Sequence, residues 1–142
     1  MNFVKLAILF IFLSACNTNA EVVITDAWVR ANAPGQTTGA AYMTLNSLQD
    51  SSLVSIASDV AGSVEIHSMT MNDGVMKMRM LDELVLKAGK VEKLAPGGFH
   101  LMLFDLKKPL KAGEKATFKL SFKNKANKIT YQSIDLPIKE VY

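Results

Sequence analysis

The amino-acid sequence predicts an all-β domain built as a Greek-key sandwich or barrel. From Val22 onward, short β-branched and aromatic runs alternate with Gly, Pro, Asn and Asp, and no stretch sustains a helical period. The runs recur at the regular spacing that is typical of antiparallel sandwiches and barrels. About 120 residues remain once an N-terminal leader is removed, which is enough for one domain with its own hydrophobic core.

Turn-forming residues separate the runs and set the expected strand boundaries. Pro34-Gly35 follows the first run, and Asn72-Asp73-Gly74 divides the fourth run from the fifth. The later breaks are Ala88-Gly89, Pro96-Gly97-Gly98 and Ala112-Gly113. The expected strands therefore cover, in order, residues 22–31, 39–45, 53–58, 63–71, 75–81, 83–86, 99–106, 115–122 and 129–136.

Composition and motifs exclude several function classes. The formal net charge is +3, only 20% of the residues are charged, and no run of five basic residues occurs. A nucleic-acid partner is therefore not expected. The sequence contains neither an HExxH nor a GxSxG motif, and its acidic residues show no pattern that pairs them as acid and base. We expect a binding protein and not an enzyme.

The N-terminal residues have the pattern of a bacterial export signal. Lys5 precedes an uncharged apolar run over residues 6–13 that is too short to span a bilayer. Leu13-Ser14-Ala15-Cys16 resembles the lipobox of lipoproteins, which predicts a signal peptide of residues 1–15 and lipidation of Cys16. Cleavage after Ala20, with a leader of residues 1–20, is the alternative. Either route exports a domain of residues 21–142 to the bacterial periplasm, as a membrane-anchored lipoprotein or in soluble form.

Sulfur in this chain is concentrated in methionine. Cys16 is the single cysteine, so the domain itself has no disulfide framework and no CxxC pair. Eight Met accompany only two His, and six of those Met fall between Met69 and Met102. This enrichment is the feature that a functional interpretation has to explain.

The histidines and the clustered methionines occur at strand spacing. Residues two apart on a strand share a face. The sets that share a face are therefore His67, Met69 and Met71, then Met76, Met78 and Met80, then His100 and Met102. The apolar residues between them, such as Ile66 and Leu101, point the other way and are candidates for the core.

The Asn72-Asp73-Gly74 turn decides which of these side chains lie opposite one another. A two-residue Asp73-Gly74 loop pairs His67 with Met80, Met69 with Met78 and Met71 with Met76. A loop of Asn72-Asp73 pairs His67 with Met78 instead. A three-residue loop without a bulge pairs His67 with Arg79 and disperses the cluster.

Thioethers beside imidazoles, without a thiolate or a carboxylate cluster, are the ligands that monovalent copper prefers. Zinc and iron favour harder or anionic ligands. Methionine also tolerates an oxidising compartment, where cysteine pairs form disulfides. The structural alternative for each residue taken singly is a hydrogen-bonded histidine or a methionine that fills the core.

The spacing of His67, ten residues, Met78, twenty-one residues and then His100-x-Met102 resembles the signature of the periplasmic copper chaperone family PCu(A)C. The local sequences Glu65-Ile66-His67, Asp73–Arg79 and Leu94–Met102 are similar to that family as well. Upstream, Ala27-Trp28-Val29-Arg30 and Ala40-Ala41-Tyr42-Met43 also resemble it. The resemblance covers the chain from about Val22 to Tyr142.

The resemblance implies a cupredoxin-like fold that binds one Cu(I) through His67, Met78, His100 and Met102. It also implies delivery of the copper to the dinuclear site of cytochrome c oxidase subunit II or another periplasmic acceptor, with a Sco-type assembly protein as a co-worker. The sequence ends at Val141-Tyr142 without the His/Met-rich tail of some members, so binding of Cu(II) outside the core site is not expected. Four further methionines are expected to be accessory ligands or a hydrophobic docking rim: Met69, Met71, Met76 and Met80.

Three other functions compete with copper delivery. A blue-copper electron carrier needs a Cys thiolate with two His, and the domain offers only the N-terminal Cys16. Copper storage or detoxification uses the same ligands, so the sequence does not separate it from delivery. A metal-free β-sandwich binding module is possible on fold alone.

Overall fold

The structure is a computed structural model that describes residues 21–141. The predicted signal peptide, with either cleavage site, and Cys16 lie outside the described residues. The described residues form ten strands and no helix. The strands are β1 Val22–Arg30, β2 Gly39–Ser47, β3 Ser51–Ser58, β4 Ala61–Asn72, β5 Val75–Leu81, β6 Leu84–Leu86, β7 Val91–Leu94, β8 His100–Leu106, β9 Lys115–Asn124 and β10 Ile129–Lys139.

Seven strands form a closed barrel in the order β4-β8-β2-β1-β10-β9-β3. The pairing of Ile56 on β3 with Val64 on β4 closes it. All pairings between these strands are antiparallel except that of β1 with β10, which is parallel. Strands β6 and β7 extend the sheet at β3 and β2 respectively. Closure removes the free edges that an open sheet of this size would present.

The barrel interior is filled by every second side chain of each strand, because alternate side chains point inward. On β8, Leu101 and Leu103 are completely buried in the core. His100 and Met102 alternate with them and lie on the outer face of the strand, where Met102 is half-buried and His100 is covered. Met43 on β2 is also in the core, with 1% of its surface exposed. The largest fully buried side chains are Phe118, Phe122, Met43, Leu45, Leu53, Leu86, Leu94, Leu101, Leu103, Leu110, Leu120 and Leu136.

Strand β4 is longer than the barrel needs, and its second half leaves the barrel. It pairs with β8 only from Ala61 to His67, whereas its pairing with β5 runs from Ile66 to Asn72. Residues 68–79 therefore project as a two-stranded ribbon, which we call the methionine ribbon. The ribbon ends in a turn at Asp73 and Gly74, whose φ angles are 49° and 76°. Two consecutive positive φ values define a type I′ turn, which suits the twist of a two-residue hairpin.

The nine expected strands are present, and one further strand was not expected. Strand β7, Val91–Leu94, has four residues, of which Glu92 and Lys93 are charged, so it lacks the apolar run that predicts a strand. Strand β10 continues through Pro137 to Lys139, beyond the predicted end at residue 136. Within the described chain, no helix is long and apolar enough to cross a membrane.

Candidate metal site

The hairpin of β4 and β5 has the register that an Asp73-Gly74 loop predicts. His67 lies opposite Met80, Met69 opposite Met78 and Met71 opposite Met76. The two alternative loops, which would pair His67 with Met78 or with Arg79, are therefore wrong. All six side chains share one face of the hairpin, because strand positions two apart point the same way.

The second histidine joins this face through the pairing of β4 with β8. His67 lies opposite His100, and Glu65 lies opposite Met102. The centroids of the two imidazole rings are 5.7 Å apart, with their planes inclined at 52°. Two histidines that are far apart in sequence are thus brought side by side on the outer surface of the barrel.

The ring of His67 is held by Glu65, two residues earlier on the same strand face. Nε2 of His67 lies 2.8 Å from Oε2 of Glu65, and only 12% of the histidine side chain is exposed. The other ring nitrogen, Nδ1, is buried and has no hydrogen-bond partner. The ring also lies 6.0 Å from that of Phe104 on β8, measured between centroids. If Nε2 carries the proton that Glu65 accepts, Nδ1 presents an unshared electron pair.

The ring of His100 is fixed from the opposite side. Its Nδ1 lies 3.1 Å from the carbonyl oxygen of Gly98, and the residue is only 4% exposed. Since a carbonyl can only accept, Nδ1–H is the donor and Nε2 is left with the unshared pair. Gly98 belongs to the Pro96-Gly97-Gly98 turn, in which Gly97 has a φ of 87° that favours glycine. The turn therefore places a carbonyl at the base of the histidine.

The strand register places three of the four motif residues at neighbouring positions and leaves the fourth on the ribbon. His67, His100 and the half-buried Met102 lie on neighbouring positions of β4 and β8. Met78 lies on β5, two residues before Met80, and is 48% exposed. Met80 is the residue directly opposite His67, and it is also among the residues that border a groove beside Val54 and Ile56 of β3.

The remaining methionines of this face lie further along the ribbon. Met69 is half-buried, whereas Met71 and Met76 near the turn are 64% and 56% exposed. Among residues 21–141, no group of three or more His, Cys, Asp or Glu side chains is arranged to hold a metal ion. Apart from the carboxylate of Glu65, which contacts His67, the candidate donors on this face are imidazole nitrogens and thioethers, which suit a soft monovalent metal.

An aromatic cluster on β1 and β2 adjoins this face. The ring centroids of Trp28 and Tyr42 are 4.7 Å apart, and the guanidinium of Arg30 lies 5.6 Å from the centroid of Tyr42. Burial raises the pKa of the Tyr42 hydroxyl, and the charge of Arg30 partly opposes this. Ala41 pairs with Leu101 on β8, so Tyr42 and His100 lie one residue beyond this pair on neighbouring strands.

Sequence reasoning missed the two groups that orient the histidines. In the sequence, Glu65 stands out only within the motif that leads to His67, and Gly98 only within a turn. Both lie two residues before the histidine that they contact. For Glu65, the signal was available, because residues two apart on a strand share a face.

Comparisons with known proteins match this chain to one protein family and to two bacterial relatives. Residues 22–134 match the LpqE-like family, described as "Putative lipoprotein LpqE-like". The chain is 32% identical over 102 residues to a protein of Leifsonia xyli subsp. xyli that is named a putative lipoprotein, covering 71% of this chain and 61% of that protein. It is 34% identical over 116 residues to an uncharacterized protein of Rickettsia prowazekii, covering 78% and 64% respectively. The chain thus spans about three fifths of the length of these relatives.

Solved structures with the same fold include PCuAC domains. The copper-bound PCuAC domain from PmoF2 is 25% identical, with a TM-score of 0.68 over 85% of this chain and 94% of that domain. The solution structure of Cu(I)-bound DR1885 from Deinococcus radiodurans is 30% identical, with a TM-score of 0.66 over 89% and 83%. These likenesses confirm the predicted cupredoxin-like all-β fold.

Proposed function

The chain belongs to the LpqE-like family and has a PCu(A)C-type domain, and on this basis we propose that it is an exported Cu(I) metallochaperone. The proposed ligands are His67, Met78, His100 and Met102. The observation that carries the proposal is the buried Nδ1 of His67, which has no hydrogen-bond partner and lies beside the oriented ring of His100. A buried polar atom without a partner is costly unless a ligand satisfies it.

The hydrogen bonds of the two rings suggest which nitrogens bind the metal. Glu65 engages Nε2 of His67, so Nδ1 is the proposed ligand atom of this residue. Gly98 engages Nδ1 of His100, so Nε2 is the proposed ligand atom there. Metal-binding histidines generally donate their other N–H to a carboxylate or a carbonyl, which fixes the ring and the tautomer. Both kinds of partner are found here.

The exposure of the thioether ligands supports a carrier. The two histidines form the buried floor of the site, while Met78 on the ribbon is half exposed. A thioether is a neutral, soft ligand on a flexible side chain, and an acceptor protein could displace it without moving the barrel. Strong anionic ligands, which would hold the ion permanently, do not contribute to the proposed set.

The proposed acceptor is the dinuclear copper site of cytochrome c oxidase subunit II, with a Sco-type protein as a co-worker. This part of the proposal is supported by the resemblance to PCu(A)C proteins alone. The matches to lipoproteins support export and a lipid anchor at Cys16. A lipidated Cys16 would leave about five residues before β1, a reach of roughly 17 Å when extended, so the domain would work close to its membrane.

Titration of the mature protein with Cu(I) in the presence of a chromophoric Cu(I) chelator tests the binding. We expect one equivalent to be retained against the chelator, with X-ray absorption showing both nitrogen and sulfur ligands. Failure to retain copper would contradict the proposed function, and intense blue absorbance with Cu(II) would favour electron transfer. For delivery, deletion of the gene should lower oxidase activity under copper limitation. Loss of copper tolerance without loss of oxidase activity would favour storage or detoxification.

A further inference from the structure

Three methionines of the ribbon are not used by the proposed four-ligand site. Met69, Met71 and Met76 lie on the same face of the ribbon as Met78. Met69 is directly opposite Met78, whereas Met71 and Met76 are closer to the Asp73-Gly74 turn. Met71 and Met76 are more than half exposed. Large apolar side chains that protrude together from a soluble domain generally serve a binding function.

The hairpin register brings the three thioethers close to one another. In a two-residue hairpin, the residues that flank the turn form a hydrogen-bonded pair, here Asn72 and Val75. The next pair, Met71 and Met76, is therefore of the non-hydrogen-bonded type, in which the Cα atoms are only about 4.5 Å apart. Met69 is two residues further along the same face, at a distance of about 6.7 Å along the strand. Methionine side chains are long and flexible enough for their sulfur atoms to meet between these positions.

Packing does not explain why these residues are methionine. The ribbon leaves the barrel after His67, so Met71 and Met76 cover no part of the core. By strand alternation, the opposite face of the ribbon carries Ser68, Thr70, Lys77, Arg79 and the exposed Val75, and no residue of the ribbon belongs to the buried core. Exposed strand positions of this kind are ordinarily polar.

We infer that Met69, Met71 and Met76 form a second, weaker site for a soft monovalent cation, Cu(I) or Ag(I), at the tip of the ribbon. Three neutral sulfur atoms match such an ion, whereas divalent zinc, calcium or magnesium would require nitrogen or oxygen ligands. The site is weaker than that at His67 and His100 because it has no imidazole and lies in solvent. The inference rests on the proposed function, since it assumes that the histidine-containing site takes the first ion.

Silver(I) titration of the mature protein, with Cys16→Ser to remove the thiol, tests this inference. The probe is Ag(I), a redox-inert substitute for Cu(I), and the readout is the NMR signal of each 13C-labelled methionine methyl group. The first equivalent should shift the signals of Met78 and Met102. The second, weaker equivalent should shift those of Met69, Met71 and Met76.

The double variant Met71→Leu/Met76→Leu should lose the second equivalent and keep the first. Leucine preserves the apolar volume and removes the sulfur. Met80→Leu is the matched control, an exposed methionine of the same face outside both sites, and should keep both equivalents. The inference is overturned if the unsubstituted protein binds only one equivalent, if the double variant keeps both, or if it loses both. Absence of the first equivalent in the unsubstituted protein would instead contradict the proposed function and the inference together.

Discussion

Oε2 of Glu65 lies 2.8 Å from Nε2 of His67, on the same strand face and beside the candidate ligands. This contact turns the ring so that Nδ1 lies in a buried position without a partner. A carboxylate in this position both fixes the tautomer and makes the free nitrogen a better ligand. Glu65 is therefore a positioning residue for the proposed metal site, although it is not a ligand itself.

Replacement of Glu65 by alanine should weaken Cu(I) binding about 10- to 100-fold, the usual effect of removing a partner of a metal-bound histidine. Glu65→Gln should lose less affinity, because the amide oxygen can still accept the N–H of His67. Chelator competition measures both. Glu83→Gln is the control, since Glu83 pairs with Lys123 at 3.2 Å on another part of the barrel. Unchanged affinity in Glu65→Ala would show that the carboxylate has no role in binding.

Met78 and Met80, the two methionines of β5 that lie nearest His67 in the register, should differ in importance for copper binding. Met78→Leu should lower the Cu(I) affinity at least tenfold, which corresponds to about 1.4 kcal/mol. Met80→Leu should leave it nearly unchanged, because Met80 is not one of the proposed ligands and borders the groove beside β3. Both substitutions conserve volume, and both residues are about half exposed, so folding should be equally unaffected. The reverse order of affinities would assign the ligand to Met80.

A substitution in the turn of the ribbon should weaken copper binding without unfolding the barrel. Gly74 has a φ of 76° and no atom within 4 Å of the position that a Cβ would take, so Gly74→Ala strains the backbone without a clash. The strain costs about 1–2 kcal/mol. We expect faster amide exchange in residues 68–79 and weaker copper binding, with little change in Tm. Gly35→Ala is the matched control, because Gly35 has a φ of 85° and equally open surroundings in a distant loop. Equal effects of both substitutions on copper binding would contradict this account.

The free energy of unfolding should depend on pH through Asp50, which lies near strands β3, β6 and β9. The pKa of its carboxyl is lowered to about 2, mainly because the Ala88 N–H donates to it and also because Lys125 lies 2.8 Å away. Because the pKa of Asp50 is lower in the folded state, its charged carboxyl stabilises the protein at pH values above the unfolded-state pKa of 3.8. This contribution is lost as the pH falls toward the folded-state pKa of about 2. Asp50→Asn should therefore be less stable than the unsubstituted protein at pH 6, and the difference should shrink below pH 4. Chemical denaturation at both pH values measures this, and a difference independent of pH would refute it.

The sequence predicted local features better than those that depend on tertiary contacts. The Asp73-Gly74 dipeptide specified the turn, and strand periodicity then specified which side chains share the face of His67. Strand β7 was missed because pairing with β2, and not its own composition, makes it a strand. The pairing of His67 with His100 could not be obtained from local pattern, since β4 and β8 are neighbours only through the barrel topology.

The most direct test of the account removes both imidazoles. The double variant His67→Ala/His100→Ala should fold, because both side chains lie on the outer face of their strands, although largely covered, while the core is formed by residues such as Leu101 and Leu103. Circular dichroism checks the fold before the measurement. In competition with a chromophoric chelator, the unsubstituted protein should retain one equivalent of Cu(I) and the folded double variant none. Equal retention of Cu(I) by the two proteins would contradict the proposed site.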